Sequence, residues 1–491
     1  SRGLGDVYKR QVIGLEVHAQ LLTKSKIFCS CPVAFGGEPN SRVCPICLGM
    51  PGVLQVLNRR AVEYTIRRAL AVDGHLAETS EFASKNYFYP DLPKGYQISQ
   101  YDRAGEPISL GGGVDIDGDH GSRFVRLRRI HLEEEAGKSI HNEPGYNPDL
   151  SYIDFNRTGV PLMEIVSEPD IRSPREASIY LARLRQILQY IGVCDGNMEE
   201  GSLRCDANIS IRKPGDPLGE LVEIKNMNSM RSMERALEFE IERQTDLLDQ
   251  EETIVRQTRL WDEGSRETFA MRSKEEASDY RYFPDPDLVT VKISRAWVSE
   301  IRKDLPELPH VRMQRFIDDY GLPPDMARQL TGNRARANYF EICVRKVPGE
   351  ARTVCHWMLS ELLRVQNENR MDQETLEVRI PPEHLSLLLR EIKEGKISGK
   401  IGKDVLDIMA ESGKTPAMII EEEKLVQISD SSRLEELVAE LLAKHPDDDA
   451  EYRSGKTKIL GFFIGQVMRE TQGKANPKMV NEFLRKKLAE G

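Results

Sequence analysis

The chain has 491 residues, of which 39% are hydrophobic and 30% charged, and its mean hydropathy is -0.48. Asp and Glu outnumber Lys and Arg by 79 to 69, and the formal net charge of -10 excludes a protein that coats nucleic acid without specificity. No apolar run approaches the ~18 residues of a membrane span, and the length allows about three domains.

The N-terminal segment SRGLGDVYKRQ has neither a periodic pattern nor the long apolar stretch of a secretory signal. We interpret residues 1–11 as a non-native or disordered leader. The eight cysteines are too few and too unevenly spaced for a disulfide scaffold. The sequence therefore predicts a protein of the reducing cytoplasm.

Residues 12–297 contain short strand patterns interrupted by helices, which predicts an α+β domain. Alternating apolar and polar residues predict half-buried strands at 12–18, 114–118, 123–133, 150–156 and 203–212. The segment SPREASIYLARLRQILQYIG predicts a helix with Ser173 as N-cap, Pro174 in the first position and Glu176 completing a capping box. A second helix is expected near residues 230–250.

After Trp297 the pattern becomes helical and is interrupted by prolines, as at Pro323-Pro324. We expect a helical domain at 298–380 and an α-helical tail domain at 381–491.

Charge is segregated within this tail. Residues 421–450 hold ten acidic and three basic side chains, whereas residues 451–491 hold four acidic and nine basic ones. The last helix is expected to begin at Asn476-Pro477. It carries a basic cluster near its end: Arg485, Lys486 and Lys487.

Four cysteines lie close together as a Cys-x-Cys pair and a Cys-x-x-Cys pair: Cys29, Cys31, Cys44 and Cys47. A Cys-x-x-Cys knuckle lets two thiolates bind one tetrahedral ion, and four thiolates leave no open position for a substrate. The pattern therefore predicts a structural zinc site, and the alternative is four ordinary reduced cysteines.

Carboxylates occur where strands are predicted to carry one polar face. In the strand at 12–18, Glu16 and His18 share the face opposite Ile13, Leu15 and Val17, so the two side chains can share a cation. The alternative is a solvated polar face on an edge strand.

Two further segments favour a cation site over a solvated polar face. Glu164 interrupts the apolar run VPLMEIV, where a carboxylate is costly unless it is paired or binds metal. Glu133, Glu134 and Glu135 end another strand, and only Glu134 shares the face of Ile130 and Leu132. Oxygen-rich sites of this kind suit Mg²⁺, which usually binds substrate phosphate as well.

The common nucleotide-binding motifs are missing from the sequence. The nearest Walker-like element, Gly413-Lys414-Thr415, has Ile408 where the P-loop requires glycine, and a helix-terminating turn explains it better. If ATP is used, we expect it to be held by a carboxylate–Mg²⁺ site on a sheet.

Six segments of the chain resemble the B subunit of the bacterial and organellar tRNA-dependent amidotransferases. They are IGLEVHAQL, SKNYFYPDLPKGYQISQYD, HLEEEAGKS, YIDFNRTGVPLMEIVSEPDIRSP, MEEGSLRCDANIS and GFFIGQVMRETQGKANPKMVNEFL. The resemblance extends from Val12 to the C-terminus. It implies a catalytic cradle domain at 12–297, related to glutamine synthetase and built on a mainly antiparallel sheet, followed by the helical and tail domains.

The resemblance also implies the activity, an ATP-dependent carbon–nitrogen ligase. ATP and Mg²⁺ would phosphorylate the side-chain carboxylate of Glu-tRNA(Gln) or Asp-tRNA(Asn), and ammonia would then displace the phosphate. The expected partners are the glutaminase-type amidase of the same enzyme and its small third subunit, in a heterotrimer that binds tRNA(Gln) or tRNA(Asn).

Motif by motif, the resemblance implies a catalytic Mg²⁺ site at Glu16, His18, Glu134 and Glu164, and an ammonia path at Lys85 and Lys94. Three alternating residues of one strand are expected to bind the cofactor near this site: Arg204, Asp206 and Asn208. The four cysteines would hold zinc, and the basic cluster Arg485, Lys486 and Lys487 would bind tRNA.

Two other functions remain open at this point. One is a non-catalytic tRNA-binding scaffold with structural zinc, which would not need the carboxylate set. The other is a free-standing zinc hydrolase, which an all-thiolate zinc site disfavours.

Overall fold

The computed structural model describes residues 10–100, 106–118, 121–140, 147, 149–213, 215–271, 280–425, 431–453, 459–471, 475 and 477–490. The chain forms two compact units, Ser1–Leu308 and Pro309–Gly491. Residues 1–9 of the predicted leader lie outside the described residues. Arg10 and Gln11 open the first strand and pair with Arg212 and Ile211.

The first unit is α+β, as the sequence predicts. Its strands are β1 (Arg10–Gln20), β2 (His75–Leu76), β3 (Thr79–Ser80), β4 (Ala83–Asn86), β5 (Tyr96–Ser99), β6 (Ser109–Leu110), β7 (Gly113–Gly118), β8 (Gly121–Glu134), β9 (Lys138–Ile140), β10 (Tyr152–Asp154), β11 (Pro161–Ser167), β12 (Leu203–Arg212), β13 (Val222–Lys225), β14 (Gln257–Asp262), β15 (Glu267–Ala270), β16 (Arg281–Pro284) and β17 (Val291–Lys292).

The helices of the first unit are α1 (Arg59–Leu70), α2 (Pro174–Tyr190), α3 (Met230–Asp249) and α4 (Arg295–Lys303). In the second unit the helices are α5 (Pro309–Tyr320), α6 (Pro324–Thr331), α7 (Arg334–Lys346), α8 (Ala351–Trp357), α9 (Leu363–Glu368), α10 (Gln373–Arg379), α11 (Pro382–Lys393), α12 (Gly399–Ser412), α13 (Pro416–Glu422), α14 (Ser431–Lys444), α15 (Pro446–Arg453), α16 (Ile459–Glu470) and α17 (Pro477–Glu490). A π-helical turn, Met358–Leu362, joins α8 to α9.

The large sheet of the first unit has the strand order β15-β14-β13-β12-β1-β11-β8-β6-β2, and β7 also pairs with β8. Its neighbouring strands are antiparallel except β13 and β14, which are parallel. The predicted alternation in β1 is confirmed, because Ile13, Leu15 and Val17 are buried in the core that the sheet shares with α2. The opposite face of β1 is therefore free to carry polar side chains.

The predicted start of α2 is confirmed, with one difference in its cap. The Ser173 hydroxyl accepts a hydrogen bond from the Glu176 backbone N–H, and Pro174 occupies the first position. The Glu176 carboxylate, however, accepts from the N–H of Arg172 rather than from that of Ser173. Ile171, the residue before Arg172, is hydrogen-bonded to Ile13 of β1, so the start of α2 is joined to the large sheet.

The second unit is helical and contains two hydrophobic cores. One includes buried residues from Phe316 to Ile420, and the other includes residues from Leu434 to Leu488. The first core thus extends across the domain boundary that we predict at residue 380. No helix among the described residues is both long and apolar enough to cross a membrane.

The interruptions predicted in the helical part are present. Pro323 lies between α5 and α6, and Gly413 ends α12 with a left-handed φ of 69°. Thr415 then caps α13 through its side chain, which confirms that Gly413-Lys414-Thr415 is a helix-terminating turn. The last helix begins at Pro477, and the predicted cap Asn476 lies outside the described residues.

Candidate active site

The polar face of the large sheet gathers side chains from neighbouring strands. His18 of β1 is the cross-strand partner of Glu164 on one side and of Arg204 on the other. Glu16 of β1 is the partner of Asp206. Because directly opposed residues in antiparallel strands project from the same face, these five side chains lie together. All five are named in the predicted catalytic and cofactor-binding sets.

His18 is the centre of this cluster. Its Nε2 atom lies 3.5 Å from Glu16 Oε1, 3.5 Å from Glu164 Oε2 and 3.8 Å from Glu133 Oε1. Two sets of donor atoms each lie within 4.8 Å of one another, one from His18, Glu133 and Glu164 and the other from Glu16, His18 and Asp206. Carboxylate oxygens with one imidazole nitrogen can hold a divalent cation.

Glu134 occupies a different place from the other predicted cation ligands. It follows Ile130 and Leu132 on the apolar side of β8, where its carboxylate pairs with the Lys94 ammonium group and accepts the Ile98 N–H at 2.7 Å. Its neighbour Glu133 points to the opposite face and reaches His18. The structure therefore brings Glu133, and not Glu134, to Glu16, His18 and Glu164.

Two basic residues of β8 that were not predicted as site residues also support Glu164. His131 Nε2 lies 3.4 Å from Glu164 Oε2, and an Arg129 guanidinium nitrogen lies 3.2 Å from Glu164 Oε1. Both residues alternate with Ile130 and Leu132, so they share a strand face with Glu133. That alternation was the signal in the sequence that could have identified all three residues.

The charges of the cluster shift its titration. Burial and the charge of Glu164 raise the pKa of Glu16 to about 7. Burial alone would lower the pKa of His18, but the hydrogen bond to Glu164 and its charge raise it to about 9. Burial would raise the pKa of Glu164, whereas the charge and hydrogen bonds of His131 and His18 hold that pKa well below its usual range. Histidine protons thus compensate the carboxylates, as a bound divalent cation would.

The two predicted ammonia-path lysines flank the end of β8. The Lys94 ammonium group pairs with Glu134 and lies 5.2 Å from the centre of the Tyr96 ring. Lys85 Nζ lies 4.7 Å from the centre of the Tyr280 ring. Burial lowers the pKa of Lys85, but the charge of Glu133 and weaker contributions from its neighbours more than offset this effect and raise the pKa.

The predicted cofactor-binding residues of β12 line the same face. The Arg204 guanidinium pairs with the buried carboxylate of Glu135, and Asp206 Oδ2 lies 2.6 Å from Lys225 Nζ. Asn208 is the cross-strand partner of Gly14 and therefore lies farther along the sheet from His18. Lys225 is a further cation of this face that the sequence analysis does not identify.

The family follows from comparison with known proteins. Residues 11–299 match the family described as the GatB/GatE catalytic domain, and residues 338–488 match the GatB domain. Two curated relatives are each named as the B subunit of an aspartyl/glutamyl-tRNA(Asn/Gln) amidotransferase. The relative from Thermodesulfovibrio yellowstonii is 53% identical to this chain over 480 residues, and the relative from Persephonella marina is 49% identical over 478 residues. These alignments cover 98% and 97% of this chain, and 99% of each relative.

The chain belongs to the family of amidotransferase B subunits. The resemblance stated from its sequence segments is confirmed. The sheet with the carboxylate cluster lies within the catalytic domain of this family, and α14 to α16 lie within its GatB domain.

The four clustered cysteines of this amidotransferase chain converge. Their sulfur atoms all lie within 4.8 Å of one another, and Cys47 Sγ is 3.7 Å from Cys44 Sγ and 4.0 Å from Cys31 Sγ. Tetrahedral coordination with zinc–sulfur bonds of ~2.3 Å places sulfurs about 3.8 Å apart. The Cys44 N–H donates to Cys47 Sγ at 3.0 Å, which stabilises a thiolate.

The predicted tRNA-binding residues lie on α17, in the second unit. Arg485 and Lys486 are exposed; Arg485 Nε donates to Asn481 at 2.7 Å, and Lys486 Nζ lies 4.0 Å from Glu435. Both side chains are therefore accessible to solvent, although each has a partner within its own unit.

Proposed function

We propose that this amidotransferase chain activates the side-chain carboxylate of Glu or Asp esterified to tRNA(Gln) or tRNA(Asn) by ATP-dependent phosphorylation, for subsequent amidation by ammonia. The observation that carries the proposal is the convergence of Glu16, His18, Glu133 and Glu164 on one sheet face. The names of the curated relatives supply the substrate class, since they are aspartyl/glutamyl-tRNA(Asn/Gln) amidotransferases. A purely structural scaffold would have no need to gather buried carboxylates around one point.

The donor set fits magnesium. Most of its donor atoms are carboxylate oxygens, which magnesium prefers. The buried carboxylate of Glu164 is already paired with the cationic side chains of Arg129 and His131, so it lies where a metal cation could also be bound. We propose Glu16, His18, Glu133 and Glu164 as the residues that hold Mg²⁺, with Glu133 in the place expected for Glu134. When bound, Mg²⁺ would neutralise the negative charge on the transferred phosphoryl group.

The chain's own residues would supply binding and orientation around this centre. Arg204, oriented by the buried carboxylate of Glu135, offers a planar donor group that suits phosphate oxygens. Lys225, between Asp206 and Glu223, offers a second cation on the same face. A carboxylate is a poor electrophile, and its phosphorylation provides the leaving group that ammonia displaces.

Glu164→Gln tests this function. In the heterotrimer reconstituted with the amidase and the small subunit, we expect loss of ATP hydrolysis that depends on mischarged tRNA, with tRNA affinity nearly unchanged. Glu267→Gln is the matched control, because Glu267 is an exposed carboxylate on the edge strand β15 of the same sheet. Unchanged ATP turnover in Glu164→Gln would support the rival function of a tRNA-binding scaffold.

The ammonia path is proposed at Lys85 and Lys94, which adjoin the two glutamates at the end of β8. Because the Lys94–Glu134 pair is buried, its charges can orient a small polar molecule without admitting bulk water. Replacement of Lys94 by methionine should lower glutamine-dependent amidation more than tRNA-dependent ATP hydrolysis. Equal losses of both activities would assign Lys94 to the phosphorylation step instead.

The cysteine cluster is proposed as a structural zinc site. Four thiolates around one ion leave no position for a substrate, so zinc would stabilise the loop that joins β1 to α1 rather than take part in the reaction. We further propose that the protein acts in the cytoplasm, within a heterotrimer that it forms with the amidase and the small subunit.

A further inference from the structure

Aromatic rings collect beside the carboxylate face, on a small sheet with the strand order β16-β4-β5. The centre of the Tyr87 ring lies 6.0 Å from that of Tyr89 and 5.6 Å from that of Tyr280, and Tyr280 lies 6.4 Å from Tyr282. We call these four tyrosines, together with Phe88, the aromatic patch.

The patch is open to solvent. Phe88 is 93% exposed, Tyr89 57% and Tyr280 41%. The tyrosine rings meet edge to face, an arrangement that leaves ring faces available to a flat ligand. Apolar rings at such exposure contribute little to the stability of the free chain, and their grouping indicates a binding surface.

Hydrogen bonds join the small sheet to the end of β8. Strand β5 binds the end of β8 directly, since Gln97 Nε2 donates to the Glu134 carbonyl at 2.8 Å and Ser99 Oγ donates to Glu133 at 3.2 Å. Lys85 is the cross-strand partner of Gln97 on one side and of Tyr282 on the other. The patch therefore adjoins the strands that bind Glu133, the residue that reaches His18.

We infer that the aromatic patch stacks the unpaired adenosine at the 3′ end of the tRNA substrate. Proteins hold unpaired bases by stacking them on aromatic rings, and cations beside the rings attract the backbone phosphates. Lys85 provides such a cation, since its Nζ lies 4.7 Å from the centre of the Tyr280 ring and 5.6 Å from that of Tyr87. The inference rests on the proposed function, because the amino acid esterified to this adenosine is the group that must reach the carboxylate cluster.

The tRNA end fits the patch better than the adenine of ATP does. The most exposed rings, Phe88 and Tyr89, belong to the loop between β4 and β5, where the end of a large molecule can arrive from outside. The phosphates of ATP, in contrast, are proposed to lie near Lys225 of β13, which β12, β1 and β11 separate from β8 in the large sheet.

The test is a binding cycle on the reconstituted heterotrimer, using two uncharged tRNAs. One tRNA is complete, and the other lacks only the terminal adenosine. Removal of the adenosine should weaken binding to the wild type by about 5- to 150-fold, the range for one stacked base. In the double variant Phe88→Ala/Tyr89→Ala the same removal should change affinity less than about twofold.

Phe269→Ala is the matched control, because Phe269 is a half-exposed aromatic on β15, at the opposite edge of the large sheet. It should retain the full effect of adenosine removal, and Phe88→Trp/Tyr89→Trp should restore that effect.

An unchanged effect of adenosine removal in the double alanine variant would overturn the inference. A higher KM for ATP with that effect retained would assign the patch to the adenine of ATP. Loss of co-purification with the amidase and the small subunit would assign it to a protein interface, and either result also overturns the inference. Because this assay uses neither ATP nor an esterified amino acid, its result is independent of whether Glu164→Gln abolishes ATP hydrolysis.

Discussion

Replacing Glu133 and Glu134 by glutamine, one at a time, separates the two faces of β8. Glu133 faces His18 at 3.8 Å, within the proposed magnesium site. Loss of its charge should lower tRNA-dependent ATP hydrolysis by about 100- to 1,000-fold, the range for removal of one preorganised electrostatic contact in an active site. The free energy of unfolding should change by less than about 1 kcal/mol, because the glutamine oxygen still accepts a hydrogen bond from the Ser99 hydroxyl. Removing one of several neighbouring negative charges also reduces their mutual repulsion.

Glu134→Gln should give the opposite result. The carboxylate and the Lys94 ammonium group are each 4% exposed, so the substitution leaves a buried cation without its partner. Breaking a buried pair in this way should lower the free energy of unfolding by about 3 kcal/mol. The loss is not larger because the Lys94 ammonium group keeps its contacts with the Tyr96 and Phe28 rings. ATP hydrolysis that depends on mischarged tRNA should fall by less than about tenfold.

The two assays are urea-induced unfolding of the isolated chain and ATP hydrolysis by the heterotrimer with mischarged tRNA. The assignment of Glu133 and Glu134 to opposite faces requires one variant that is stable and inactive and another that is destabilised and active. It is refuted if Glu134→Gln loses the activity and Glu133→Gln keeps it, because Glu134 would then be the residue that serves the reaction.

Three further predictions concern other parts of the molecule. Cys44→Ser should remove zinc, measured by elemental analysis, and lower the melting temperature while kcat stays within about twofold; a loss of kcat without destabilisation would contradict a structural role. Neutralising Arg485, Lys486 and Lys487 should weaken tRNA binding and reduce the slope of its salt dependence, and an unchanged slope would move the tRNA contact elsewhere. Arg68 is fully buried, and none of its guanidinium nitrogens has a hydrogen-bond partner among the described residues. Arg68→Met should therefore raise the free energy of unfolding, measured in urea, by about 1–3 kcal/mol. A lower free energy of unfolding would indicate an unrecognised partner.

The sequence predicts well whatever depends on alternation within a single strand. The apolar set of β1 and the polar pair Glu16 and His18 follow from a period of two, which the buried and half-buried side chains confirm. Helix α2 was equally predictable, because its cap residues and its apolar spacing agree. Glu164 could be singled out because a charge within an apolar run needs a partner.

Contacts between strands are harder to predict, because they depend on register. The position of Glu164 opposite His131 and His18 is fixed by the pairing of β11 with β8 and β1. Nothing in the sequence states that pairing. The alternation of β8 places His131 and Arg129 on one face with Glu133, but their contacts with Glu164 depend on the register. Among Glu133, Glu134 and Glu135, both the strand pattern and the resemblance favour Glu134. The same alternation, however, places Glu134 with Ile130 and Leu132 on the apolar side of β8.

The buried position of Glu134 also shows why composition misleads here. An isolated carboxylate on the apolar side of a sheet would be excluded by its desolvation cost, and Lys94, forty residues earlier, compensates it. Such long-range pairs give no periodic signal in a sequence. Net charge is a coarse guide to nucleic-acid binding for a related reason, since part of the acidic total belongs to the carboxylate cluster and part to residues 421–450.

The most direct test of the account follows the side-chain oxygens of the substrate. Glu-tRNA(Gln) labelled with ¹⁸O in its side-chain carboxylate is incubated with the heterotrimer, ATP and glutamine, and the inorganic phosphate is examined by mass spectrometry. If the carboxylate is phosphorylated and ammonia displaces the phosphate, each Gln-tRNA(Gln) formed releases one phosphate that carries one ¹⁸O atom. Product formed with unlabelled phosphate would contradict carboxylate phosphorylation on this sheet face.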